Sequence, residues 1–358
     1  MKLLLLADGR SIHTIRFQKA MKSAGANVVL ASLERGETVD ILLKKKSVSN
    51  SLNYFFVNRE IKNLVRKSNP DIVNPHFASG YGFSVAVSRV WNFKPTVLHC
   101  LGSDILISPR KSIAHKQRVI YALQRAKHIF ADSKYLKTEI QNLYDKSNVS
   151  VIPWGVEQEI LDTYDAEKNS KFENSRLVNI LIPRPHQKVY NNTFIIGALA
   201  NLLKEKNIKI TFPGWGDDLE DFRKLVHDLH LEGKIEFYPF LERDEYINFL
   251  SKFDIYLSAS LSDSSPASLI EAMGAGLIPV VANIPGVREW ADHTSAVIYQ
   301  PNNPVSLENK IRAIINNEID MEPLLSANHK RVTEEALFEN NINSTLKIMQ
   351  DILKHGAK

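Results

Sequence analysis

Short apolar runs alternate with amphipathic segments along almost all of the 358-residue chain. The runs at Lys2–Leu6, Asn27–Ala31, Asp71–Asn74, Thr96–Cys100, His128–Ala131 and Val149–Ile152 read as strands. Helical patterns fit Thr14–Ala24, Ser79–Trp91, Ser112–Ala126 and Ser133–Tyr144. Strands separated by helices predict parallel, doubly wound sheets covered on both faces. A polar stretch, Glu157–Arg176, interrupts the rhythm. It restarts with strands at Val178–Ile182, Ile208–Phe212, Ile235–Tyr238, Ile255–Ser258 and Ile278–Ala282. Helices fit Thr193–Leu203, Asp218–His230, Asp244–Phe253, Ala267–Ala275 and Ser306–Asn316, and the tail Glu334–Lys354 reads as one or two more.

At about 150 residues per domain the length suits two domains. The expected α/β architecture is therefore a pair of Rossmann-like domains facing a cleft, with ligands near the carboxyl ends of the strands. The expected divisions are 1–160, a passage at 161–176, a second domain at 177–335, and a C-terminal helix at 336–358 that packs back on the first domain.

Cys100 is the one cysteine, which excludes an intrachain disulfide and a cysteine-rich metal site. No run approaches the roughly 18 apolar residues of a membrane-spanning helix. The apolar start, Leu3–Ala7, is too short for a signal-peptide core and reads as a buried strand. A soluble, cytoplasmic protein is the expectation. Residues 1–175 hold 26 Lys+Arg against 16 Asp+Glu, whereas residues 176–358 hold 19 against 24. A basic half beside an acidic one points to an anionic surface or ligand, with Lys44-Lys45-Lys46 the densest basic run. The inner face of a membrane is one such surface. Nucleic acid is not expected, because no recognition-helix, RNA-binding or zinc-finger signature is present. A G-x-S-x-G elbow, an H-E-x-x-H pair and a Walker loop are also absent.

The most informative segment is 254–289, DIYLSASLSDSSPASLIEAMGAGLIPVVANIPGVRE. A strand leads through Ser260–Ser265 into a helix, with Ser265 placed to cap it and Pro266 suited to its first position. The helix start aims backbone N–H groups and a positive dipole end at any ligand there. Asp263 and Glu271 frame the unit with seven residues between them. Carboxylates accept paired hydroxyl hydrogen bonds, which suits a ribose or a hexose.

This segment resembles the E-x7-E region of family 4 glycosyltransferases, the retaining enzymes of the two-domain GT-B fold. Glu271 matches the second glutamate, and Ala272 to Gly276, Pro279 to Val281 and Gly286 to Glu289 match the usual continuation of the motif. The first position departs from the pattern: Asp263 keeps the charge but is shorter by one methylene. The resemblance implies that Glu271 holds the nucleotide ribose. It also implies that Asp263, with Ser264, Ser265, Ala267 and Ser268, holds the transferred sugar. Arg184 and Lys188, in Ile182-Pro183-Arg184-Pro185-His186-Gln187-Lys188, would stabilise the departing diphosphate, though three intervening residues is slightly short of the usual spacing. Gly214 and Trp215 resemble the glycine-rich turn on the donor side, and Phe240-Leu241 fall where residues near the nucleobase are usual.

The first half matches more loosely. Gly102-Ser103-Asp104 resembles part of the His-Gly-x-Asp segment, with Leu101 at the histidine position and His99 two residues earlier. His99 and Leu101 share a strand face, so His99 could reach a ligand or sit in the core. Asp104 is the better polar candidate. Gly9, Arg10 and His13 after the first strand, and His76 in Asn74–Gly82, would line the acceptor side. Ser11 can equally well cap the next helix.

The implied activity is retaining transfer of a hexose-type sugar from a nucleotide diphosphate, UDP by family precedent, to a hydroxyl of a saccharide or lipid-linked saccharide. Cell-surface polysaccharide or glycoconjugate synthesis is the implied setting. The nucleotide sugar is a co-substrate, and no cofactor or metal is implied. The alternatives are a nucleotide-sugar epimerase of the same fold and an inactive sugar-nucleotide binder.

Overall fold

The computed structural model describes residues 1–145, 147–165, 171–173 and 176–355. Positions 166–170 and 174–175 of the expected interdomain passage, and 356–358 of the expected last helix, lie outside them. The protein divides into two compact units. One is Met1–Pro153 together with the chain from Glu339 onward, and the other is Trp154–Phe338.

The first unit contains β1 (Lys2–Leu6), β2 (Asn27–Ser32), β3 (Ile41–Leu42), β4 (Ile72–Pro75), β5 (Val97–Cys100), β6 (His128–Ala131) and β7 (Val149–Val151). All pairings are parallel, in the orders β3-β2-β1-β4 and β5-β6-β7. Single parallel bridges, Val73 to Thr96 and His76 to His99, join the two runs. Leu3 to Leu6 are all buried, as a parallel strand covered on both faces requires.

The second unit contains β8 (Val178–Leu181), β9 (Ile208–Pro213), β10 (Ile235–Tyr238), β11 (Ile255–Ser258), β12 (Ile278–Ala282) and β13 (Val297–Tyr299). Their order, β10-β9-β8-β11-β12-β13, is that of a Rossmann sheet. Beyond β8 the chain first builds outward through β9 and β10, then returns to add β11 on the other side. The loops after β8 and β11 therefore leave the sheet side by side, at the switch point where such folds bind ligands.

Several expectations need correction. Ser79–Trp91 is not one helix: Phe77–Gly82 is a π-helical turn, Phe83–Ser88 a short α-helix and Val90–Asn92 a 3-10 turn. Gly80 leaves helical dihedrals (φ −109°, ψ −106°), which interrupts a regular ladder there. Helices at Asn50–Phe56 and Asn58–Ser68 are not among the expected elements. The second of these does carry a helical period, with Ile61, Leu64 and Val65 on one face packed into the core. Glu322–Glu335, a helix without a clear pattern, precedes a single last helix, Phe338–His355. The polar stretch after Glu157 holds a helical turn, Gln158–Leu161, and Ile160, Leu161 and Phe172 pack into the second unit's core. The division at Pro153 accordingly precedes the expected boundary at residue 160.

Candidate functional site

The loops after β8 and β11 carry the two members of a charged pair. Arg184 Nη2 donates to Asp263 Oδ2 at 2.6 Å, and the two side chains are only 14% and 16% exposed. Burial opposes the Arg184 charge, but Asp263, with Tyr256 and Tyr190 behind it, raises the guanidinium pKa above its ordinary value. The guanidinium also lies over the Tyr190 ring at 5.2 Å. Leu261 N–H donates to Val189 O at 2.8 Å, which ties the two loops together by their backbones.

Asp263 is placed by its backbone as well as by Arg184. Its Oδ1 accepts from the Ser264 amide at 2.9 Å. A Cβ on Gly286, in the loop after β12, would stand 1.7 Å from the Asp263 carbonyl oxygen. Only glycine permits that approach. The next helix is Ala267–Gly274, with Pro266 itself in the capping position at φ −71° and ψ 94°. The expected Ser265 cap is therefore corrected: Pro266 supplies the non-helical residue, and Ser265 Oγ is buried without a hydrogen-bond partner among the described residues. Ser264 is buried too, and Ser268 Oγ lies 3.1 Å from Tyr256 OH.

Glu271, buried inside that helix, meets an arginine that no sequence motif singles out. Arg243 Nη2 lies 2.7 Å from Glu271 Oε1, and its Nε donates to Glu157 Oε1 at 3.1 Å. Nη2 also donates to the other Glu157 oxygen. Burial works against the Arg243 charge, yet Glu271 and Glu157 raise its pKa. A local signal does mark where the helix carrying Arg243 begins: Glu242 and Glu245 form a reciprocal capping box around it. Nothing local marks the partners, which are remote in sequence.

The remaining donor-side candidates fall into two groups. Gly214 donates its amide to Tyr238 O at 2.8 Å, and His186 N–H donates to Trp215 O at 3.0 Å. The glycine-rich turn is thus clasped between the β10 end and the loop beyond Arg184. A Cβ on Gly216, whose φ is +134°, would stand 2.2 Å from His186 N. The Trp215 ring is tilted against Phe240 at 6.1 Å, and Phe240 is 67% exposed, while Leu241 packs partly into the core. Lys188 is exposed and lines a cavity of about 310 Å³ with His186, Asn192 and Asp218; neither Arg184 nor Asp263 lines it.

In the first unit, His76 and His99 stand side by side on adjacent strands, with ring centroids 4.7 Å apart. His99 also stacks on Phe130, and its Nδ1 accepts from Asn74 Nδ2 at 2.9 Å. Burial, then His13, lowers the His76 pKa to about 3; burial, then His76 and His128, holds His99 well below its usual value. Both are neutral imidazoles. Asp104 accepts from the Ala78 and Leu101 amides at 2.6 and 3.1 Å, joining the loops after β4 and β5. Burial raises its pKa to about 6 despite those bonds. Arg10 pairs with Asp8 at 2.9 Å, Gly9 N–H donates to Ser32 Oγ at 3.0 Å, and His13 is exposed.

A Glycosyl transferase 4-like family model matches residues 2–133, and a Glycosyl transferases group 1 model matches residues 165–332. The chain belongs to the family 4-like glycosyltransferases. This glycosyltransferase is 23% identical over 357 residues to an uncharacterized glycosyltransferase of Methanocaldococcus jannaschii, covering 96% of this chain and 95% of that one. Among solved structures, sucrose-phosphate synthase from Thermosynechococcus elongatus matches at a TM-score of 0.83 and 12% identity, over 99% and 100% of the two chains. Anabaena HepE in complex with UDP-glucose matches at 0.79 and 15%, again over 99% and 100%. These likenesses make the fold GT-B. Among the described residues no helix is long and apolar enough to cross a membrane, and no group of three or more His, Cys, Asp or Glu is gathered for a metal ion.

Proposed function

We propose that this glycosyltransferase moves a hexose-type sugar, with retention of configuration, from a UDP-sugar to a hydroxyl of a saccharide or lipid-linked saccharide. The carrying observation is that Glu271, buried within the helix Ala267–Gly274, and Asp263, partly buried just before it, are each held by their own arginine. Buried charges are costly unless compensated, so two such pairs at a Rossmann switch point mark a ligand site more readily than a stability device. The UDP assignment draws support from the HepE complex with UDP-glucose.

In this reading Glu271 accepts the ribose hydroxyls, Asp263 and the Ser264–Ser268 backbone hold the hexose, and Trp215 and Phe240 flank the nucleobase. Arg184 and Lys188 meet the charge that grows on the diphosphate as its bond to the anomeric carbon breaks. The acceptor oxygen forms its bond to that carbon on the face the diphosphate leaves, and its proton passes to a departing phosphate oxygen. That route needs no protein base and no metal, which suits neutral, buried His76 and His99.

The acceptor side is proposed to work at an anionic membrane surface. Lys44, Lys45 and Lys46 are exposed, and the next helix, Asn50–Phe56, turns Leu52, Phe55 and Phe56 to solvent. Basic groups near such a surface contribute about 1 kcal/mol each. Sedimentation with anionic and neutral vesicles at low salt tests this, and equal binding to both overturns it.

Activity is tested by nucleotide release from UDP-, GDP- and dTDP-sugars, with and without a lipid-linked acceptor extract. Acceptor-dependent release of UDP is expected. Conversion of the sugar with its nucleotide still attached would identify an epimerase instead.

A further inference from the structure

Arg243 touches Glu271 yet lies outside every motif that the sequence displays. It is the first residue of the helix Arg243–Leu250, and the Glu242–Glu245 capping box fixes that helix start. Its guanidinium uses Nε and Nη2 on Glu157, and the same Nη2 reaches Glu271 Oε1 at 2.7 Å. Tyr246 lies under the guanidinium at 5.6 Å. None of the three charged side chains is more than 20% exposed. The arginine meets Glu271 through Oε1.

We infer that Arg243 is a positioning residue for the nucleotide. It holds Glu271 in one rotamer through Oε1 so that Oε2 presents to the ribose diol, and Glu157 in turn aims Arg243. Three features favour this over a plain ion pair. A glutamate alone in a helix samples several rotamers, and a carboxylate that must accept two hydroxyls loses affinity with every misaligned one. The planar fork of arginine can meet two carboxylates at once, which a lysine ammonium on a flexible stem does less well. Glu157 also balances the charge of Arg243, so the clamp does not draw the Glu271 carboxylate away from its ligand. This inference rests on the proposed ribose role of Glu271.

The test is titration calorimetry of UDP and 2′-deoxy-UDP against wild type, Arg243→Gln, Arg243→Lys and Glu271→Ala, with melting temperatures recorded for each. Wild type should prefer UDP. Arg243→Gln should lose about tenfold in UDP affinity and most of its preference over 2′-deoxy-UDP, with Arg243→Lys intermediate. A loss confined to melting temperature, with the preference intact, would make Arg243 merely structural and overturn the inference. If Arg243→Gln does not fold, Arg243→Lys decides: an unchanged preference overturns the inference and a reduced one supports it. If Glu271→Ala keeps the preference, the ribose reading fails first. If Glu271→Ala abolishes it and both Arg243 variants keep it, the Arg243 inference alone fails.

Discussion

The candidate groups of the two units are held in different ways. In the first, His76 and His99 are neutral imidazoles packed among aromatic rings, and Asp104 is held by backbone amides with its pKa raised toward neutrality. In the second, the partly buried Arg184, Asp263, Arg243 and Glu157 and the buried Glu271 stand in ion pairs, while the buried His186 is a neutral imidazole among Phe212, Phe222 and Phe237. Replacing a buried ion pair by well-packed apolar residues often costs nothing, so retaining two beside one helix start calls for a use beyond stability. In the first unit, Asp104 joins two loops, and His76 and His99 pack beside Phe17 and Phe130. The contrast sets ion-paired groups in the second unit against groups held by amides and rings in the first.

The sharpest way to break this contrast is Arg184→Gln. Loss of a donor aimed at developing charge should cut kcat on the order of 10²- to 10³-fold, read by turnover at saturating donor. A loss below tenfold would leave Arg184 with only the task of holding Asp263. Gly286→Ala comes next. The added Cβ must displace the Asp263 backbone, and activity should fall on the order of tenfold or more while circular dichroism stays unchanged. Full activity would mean that the site tolerates a shifted Asp263.

Two changes in the first unit should act on stability. Asp104→Asn sets an amide N–H against a backbone donor that now has an acceptor, and should cost about 1–3 kcal/mol in urea unfolding. The effect of His76→Gln is read against pH. A folded pKa of about 3 against the ordinary 6.5 means that the unfolded chain binds the extra proton between those values. The wild type therefore loses stability as pH falls from 6.5 toward 3. The variant should gain on it by about 1.4 kcal/mol per pH unit over that window. A difference independent of pH would contradict the neutral, buried assignment of His76.

The separate legibility of the units reflects the same physics. Eleven strands were readable because parallel strands covered on both faces are continuous apolar runs, as Leu3–Leu6 and Ile278–Ala282 are; the two- and three-residue strands Ile41–Leu42 and Val297–Tyr299 were too short to stand out. The helix after β11 was readable because Pro266 and the apolar period mark it locally, although its cap proved to be Pro266 and not Ser265. Helices such as Glu322–Glu335, with buried residues scattered around a polar sequence, left too faint a period, whereas Asn58–Ser68 carries a clear one that the expected elements omit.

Residue type and motif spacing were enough to single out Asp263, Glu271 and Arg184 as candidates. They could not show that Asp263 and Arg184 are partners, since the 2.6 Å contact exists only because β8 and β11 are neighbours in the sheet. Arg243 and Glu157 were invisible for the same reason: a surface-type arginine and a glutamate in a polar stretch look solvated until the fold buries them against Glu271. The sequence by itself determined the strand rhythm, the α/β class and the family, because periodicity and motif chemistry are local. Only the tertiary structure decided which charges compensate which, because ion pairing depends on distances between segments that no local pattern encodes.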